Sequence, residues 1–181
     1  MIMDNQGLYV IDQKDGLSLE FSKLASMMEY VRVTTLAEVK DLTVEQLDFL
    51  INDEANSIGM LLAHMASVEK AYQIDTFENR DFTEEDIQML NPALELGDAA
   101  REQIKGNPIE YYLEELEQTR NKTIDTFKTL PDSWLFETAP YWGGHPMNKY
   151  FKWFHVYEDE LNHRGQIRLI KKLMSASEKL V

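Results

Sequence analysis

Asp159 and His163 stand four residues apart in FHVYEDELNHRGQI, residues 154–167, among Val156, Tyr157, Leu161 and Ile167. On a helix that spacing puts both side chains on one face, with Cβ atoms about 6 Å apart. Ionisable groups set among apolar neighbours are costly to bury unless something pairs with them. Two chemistries satisfy the pair: it chelates one ion, or it is a helix-stabilising ion pair. His64 holds a comparable place in SIGMLLAHMASVEKAY, residues 57–72, beside Leu61, Val68 and Tyr72. It reads either as a satisfied core histidine or as a third ligand delivered from a facing helix, as in metal sites built inside bundles. His155 stands one turn before Asp159, but about 12 Å along the helix axis from His163. One ion cannot bridge that distance, so Asp159 is the preferred partner of His163.

Around this nucleus lie further candidates. Glu160 reads as a general base or partner of a metal ligand, or equally as a helix-surface charge. Arg164 reads as a salt-bridging or carboxylate-clamping residue. The loop YWGGHPMN offers Trp142 and His145 as substrate contacts, with His145 alternatively a proton shuttle or a turn residue. Gly165 inside a helix costs about 1 kcal/mol against alanine, and the expected benefit is close approach of another helix beside the ligands.

The elements that must position these groups are helical, because apolar residues recur with a period near 3.6 and alternate rarely. Helix one is expected over residues 18–40, with Leu24, Met27, Met28, Val31 and Thr35 inward. Helix two is expected over residues 56–77, after a connector in which Thr43 and Gln46 form a capped turn. A polar excursion follows, with one short helix after Thr83. Pro108 opens helix three at its first turn, Ile109, Tyr112, Leu116 and Phe127 face inward, and Pro131 ends it. A second long connection, residues 131–148, leads to Asn148 as the cap of helix four, residues 149–175. YVIDQ, residues 9–13, reads as a short strand or as irregular chain. Four amphipathic helices with two long connections predict an all-α fold, an antiparallel four-helix bundle forming one domain over residues 1–181.

Composition removes several function classes. The formal charge of −14 opposes a nucleic-acid interface, which needs cationic residues to neutralise phosphates. The chain has no cysteine, so disulfides, thiolate ligands and cysteine nucleophiles are excluded. The first sixteen residues lack a basic segment followed by an apolar run, and no stretch approaches 18 uninterrupted apolar residues. A cytoplasmic protein is expected by elimination. Neither a nucleophile elbow, a P-loop nor a GxGxxG stretch occurs.

SIGMLLAHMASVEKAY together with WFHVYEDELNHRGQIRLI resembles the DinB-like family of metal-dependent enzymes, whose relatives include the bacillithiol S-transferases. The resemblance covers most of the chain and implies a four-helix bundle, often a homodimer, holding a divalent ion, commonly nickel or zinc. It places one ligand on His64 and the last on His163. The first histidine of the family's H-x3-H motif falls on Asp159, a departure. A carboxylate there still ligates zinc, nickel, iron or manganese, and makes a two-histidine, one-carboxylate set with positions left for water or substrate. The implied activity is hydrolysis or thiol transfer on a small molecule. The alternative is a non-catalytic stress-response or binding module whose metal site is altered or vestigial.

Overall fold

The computed structural model describes residues 7–140 and 145–178. Among the described residues there are seven α-helices: α1 (Leu19–Val39), α2 (Val44–Leu47), α3 (Ile58–Gln73), α4 (Glu84–Glu95), α5 (Gly97–Gln103), α6 (Ile109–Phe127) and α7 (Lys149–Glu178). A π-helical turn, Ile74–Glu78, prolongs α3, and a 3-10 turn, Asp132–Phe136, follows α6. The all-α class expected from the sequence is the class adopted. The strands β1 (Thr138–Pro140) and β2 (Pro146–Asn148) make one short antiparallel pair that the sequence reading lacks, as it lacks α5. Residues 10–14 form neither helix nor strand.

Local chemistry explains the helix starts. Thr43, Ser57 and Thr83 each accept a hydrogen bond from the backbone N–H three residues on, while that third residue's side chain accepts from the cap's own N–H. Such reciprocal pairs satisfy two of the donors that a helix start leaves open. Asn148 caps α7 through Phe151 N at 2.9 Å. Pro108 is extended, with ψ 161°, and so precedes α6 as its cap rather than opening its first turn.

Four long helices pack side by side, α1 on α7, α7 on α3, α3 on α6 and α6 on α1. Cross-contacts give their directions. Glu20 meets Tyr150, Arg32 meets Glu160 and Glu38 meets Arg168, so α1 and α7 run parallel. Gln73 meets Thr123 while Gly59 faces Tyr112, so α3 and α6 also run parallel. His64 meets Asp159 while Asp75 meets Lys152, so α3 and α7 are antiparallel. Two parallel neighbours cannot be joined by a tight turn: the chain must travel back a helix length, about 24 Å for sixteen residues. The excursion over residues 79–108 makes that journey, and α4 packs on α3 along the way.

The core is two apolar clusters with a polar layer between them. One contains Leu61, Leu62, Tyr112, Leu116 and Ile167; the other contains Phe21, Leu24, Met28, Phe127 and Trp153. Between them Arg32 of α1, Glu69 of α3, Arg120 of α6 and Glu160 of α7 meet, each no more than 9 % exposed. Arg32 binds Glu160 at 3.0 Å and Glu69 at 3.3 Å; Arg120 binds Glu69 at 2.8 Å and Glu160 at 3.4 Å. Burying four charges is tolerable only because each is paired and its remaining polar atoms are satisfied. Arg32 Nη1 donates to Leu116 O, Arg120 Nη1 to Met28 O, and Thr123 Oγ1 to Glu69.

The expectation for Gly165 is corrected: nothing lies within 4 Å of where its Cβ would stand. The close approach is at Gly59, where an added Cβ would meet Tyr112 Oη at 2.6 Å and Leu47 O at 3.4 Å. The helix that needs a missing side chain is α3, not α7.

Candidate metal centre

Asp159 and His163 project from the same face of α7, and antiparallel α3 brings His64 against them. His64 Nε2 lies 3.5 Å from Asp159 Oδ2, and His163 Nε2 lies 3.3 Å from Asp159 Oδ1. The imidazole rings stand nearly perpendicular, 78° apart, with centroids separated by 4.7 Å. Among the described residues these three form a group able to hold a metal, its ligand atoms all within 4.8 Å of one another. The side chains are 12–16 % exposed, so the group is sheltered but reachable.

The geometry fits a small dication better than an ion pair. Charge-assisted hydrogen bonds draw in to about 2.7–2.9 Å, and neither contact does so. Two atoms bound to one zinc-like ion at about 2.0–2.1 Å and a tetrahedral angle are about 3.4 Å apart. Each imidazole Nε2 stands at that spacing from one of the two Asp159 oxygens. Asp159 Oδ2 and His163 Nδ1 are also buried without a hydrogen bond of normal geometry, and a buried acceptor left unmade is costly. The Asp159 carboxylate thus keeps acceptor capacity beside both imidazoles.

His64 is held from behind. Its Nδ1 donates to Ala93 O at 2.9 Å, which leaves the Nε2 lone pair facing Asp159 and His163. A hydrogen bond of this kind fixes the tautomer of a metal-binding histidine. Ala93 lies in the last turn of α4, where carbonyls lack helical partners and carry the negative end of the helix dipole. Leu96, with φ 58°, breaks the helix just beyond. Sequence reading missed this contact; Thr83, the capped start of α4, was its only legible trace.

Electrostatics follow from these neighbours. Burial alone would lower the His64 pKa, but Asp159 together with the Ala93 and Leu94 carbonyls raises it above the usual 6.5. Burial would raise the Asp159 pKa, yet the adjacent imidazoles of His163 and His64 hold it well below the usual 3.8. In the metal-free protein Asp159 is an anion and His64 is unusually basic.

The other sequence candidates stand apart from this group. Glu160 is turned into the polar layer and engaged by both Arg32 and Arg120. Arg164 donates to Thr34 Oγ1 of α1. His155 pairs with Glu158 at 3.2 Å and stands edge-on to Tyr72, centroids 6.0 Å apart, further along the α3–α7 seam. His145 is exposed just before β2. Trp142 lies outside the described residues.

A family model, Mycothiol-S-transferase, matches residues 23–176. The chain belongs to this family. It is a DinB-like family related to the bacillithiol S-transferases, so the resemblance carried by the two histidine-bearing stretches is real. No curated protein matches the chain closely enough to count as a relative. Membership points to a thiol S-transferase-like enzyme, and the clustered His64, Asp159 and His163 are compatible with a metal site. Among the described residues no helix is long and apolar enough to cross a membrane.

Proposed function

We propose that this protein is a metal-dependent thiol S-transferase, with a divalent cation held by His64, Asp159 and His163. The observation that supports the reading is that His64, Asp159 and His163 each offer a ligand atom within 4.8 Å of the others, the two imidazole Nε2 atoms lying 3.5 and 3.3 Å from the two carboxylate oxygens. Two imidazoles and one carboxylate suit zinc or nickel, and also iron or manganese. A dication bound there supplies Lewis acidity, which lowers the pKa of a coordinating thiol or water.

The chain's own part is positioning. Ala93 O keeps His64 in the ligating tautomer, Asp159 neutralises one positive charge, and three protein ligands leave a face open to a small molecule. The family's name suggests mycothiol as the sulfur donor, with an electrophile as its partner. In the transfer a C–S bond forms as a C–X bond breaks, X departs with the bonding pair, and the thiol proton leaves to water. We assign His155 and His145 to substrate contact, and keep Trp142 as a candidate on its sequence position alone. Glu160 is given no proton-transfer role here, because both its oxygens serve guanidinium groups.

The reading extends to architecture. Residues 1–181 form one domain, in which α1, α3, α6 and α7 make a four-helix bundle of up-down-down-up order. The chain works in the cytoplasm as a homodimer on small-molecule substrates, without nucleic acid or membrane.

The test is metal analysis of purified protein, followed by thiol conjugation with mycothiol and a panel of electrophiles. One ion per chain is expected, lost in His163→Ala, with conjugate detected by mass only for the loaded protein. Protein that takes up no dication, or conjugates equally well after metal removal, sinks the proposal.

A further inference from the structure

Both helices that carry the metal ligands are gripped by the same two arginines. Glu69 sits five residues after His64 on α3, and Glu160 sits next to Asp159 on α7. At about 100° per residue, each glutamate leaves its helix in a direction far from the neighbouring ligand, so holding the glutamate fixes the rotation of the ligand. Arg32 from α1 and Arg120 from α6 each contact both glutamates. The guanidinium plane makes these contacts angular: Arg32 binds Glu160 through Nε and Nη2, and Arg120 binds Glu69 through Nε and Nη2. Each fork is then anchored by Nη1 to a main-chain carbonyl of the opposite helix, Leu116 O or Met28 O. Gln73 Nε2 and Thr123 Oγ1 complete the α3 side at 2.9 and 2.7 Å.

We infer that Arg32, Glu69, Arg120 and Glu160 are positioning residues for the metal centre, setting the rotation of α3 against α7 so that His64 meets Asp159 and His163. The inference rests on the metal-site reading above. Packing between the two apolar clusters can hold the helices together, but apolar contacts are non-directional. A ligand atom lies roughly 6 Å from its helix axis, so a rotation of about 10° displaces it by about 1 Å. Metal–ligand bonds tolerate only about 0.2 Å. A bidentate guanidinium–carboxylate contact has the angular selectivity to hold such a limit, and lysine, a point charge on a flexible stem, does not.

A purely stabilising role predicts something else. Replacing a buried ionic cluster by neutral groups of similar volume is often harmless to stability, so affinity and stability can be separated. The experiment compares the wild type with Arg120→Lys, with the charge-balanced double variant Glu69→Gln/Arg120→Met, and with Leu24→Ala, a core variant away from the polar layer. Zinc affinity is measured by competition with a chromophoric chelator, coordination by the visible absorption of the cobalt-loaded protein, and folding by metal-free thermal melts. Both network variants are expected to melt cooperatively, to bind zinc about 10–100-fold more weakly and to shift the cobalt spectrum. Leu24→Ala is expected to melt lower and bind as the wild type does. Folded network variants with unchanged affinity and spectrum overturn the positioning role while leaving the metal site standing. A wild type that binds neither ion overturns the metal-site reading first, and this one with it.

Discussion

Removing the His64 side chain separates what the imidazole does for the fold from what it does for a metal. In the metal-free protein, His64→Ala loses the hydrogen bond to Ala93 O and one of the two imidazoles beside Asp159. The first is worth about 1 kcal/mol net, and the whole change about 1–2 kcal/mol. For a chain of this length 1 kcal/mol shifts Tm by about 2–4 °C. With metal the difference is larger. A free ion at 100 times its Kd stabilises the native state by about 2.7 kcal/mol, a rise of roughly 5–11 °C. If loss of one ligand weakens binding even 100-fold, the same ion concentration equals the new Kd and contributes about 0.4 kcal/mol, or roughly 1–2 °C. The assay is a pair of melts for each protein, one in chelator and one with zinc or nickel at fixed free concentration. The wild type should gain several degrees on loading and His64→Ala almost nothing, while His155→Ala, which lies outside the group, should gain as the wild type does. An equal gain in His64→Ala would refute the assignment of His64 as a ligand.

Other expectations follow from the same contacts. Because His64 has a raised pKa, a proton competes with the ion: affinity should fall about tenfold per pH unit below that raised value, as chelator competition across neutral pH will show. In the metal-free protein the His64 contribution is complete below 6.5 and lost as pH rises through the raised value. That of Asp159 is complete above 3.8 and lost as pH falls through its depressed value, so acid melts should distinguish Asp159→Asn from the wild type. Gly59→Ala drives a Cβ into Tyr112 Oη and should cost about 1–3 kcal/mol. Gly165→Ala meets open space and should stabilise by about 0.5–1 kcal/mol; urea melts measure both. Thr83→Ala removes the cap of α4 at a cost of about 1 kcal/mol. It should also weaken zinc binding, since α4 supplies the carbonyl behind His64.

The long helices were legible because their apolar spacing is regular over four turns or more, with Pro108 and Asn148 marking where two of them begin. Leu24, Leu61 and Tyr112 are all buried where the periodicity puts them. The His64–Asp159–His163 cluster was legible for a different reason: charged or polar groups broke two inward stripes at positions that facing helices can bring together. The same signal was present at Glu69, Arg120 and Arg32, yet pairing across four helices cannot be read from one helix at a time, and Glu160 alone suggested a catalytic base. Direction was illegible too. Whether α3 and α6 run parallel depends on where residues 79–108 travel, and nothing in their polar composition states that. Gly165 and Gly59 look alike in sequence, because what a missing side chain makes room for belongs to another helix.

The parallel course of α3 and α6 has an outcome for how such a centre can be tuned. A chain obliged to double back has spare length to spend, and here the detour delivers a carbonyl to the rear of a ligand. Insertions or deletions between Asn79 and Asn107 would tilt the His64 ring and alter its basicity while every ligating residue stays in place. Divergence in metal preference can therefore begin outside the ligand-bearing motifs and still act on the ion.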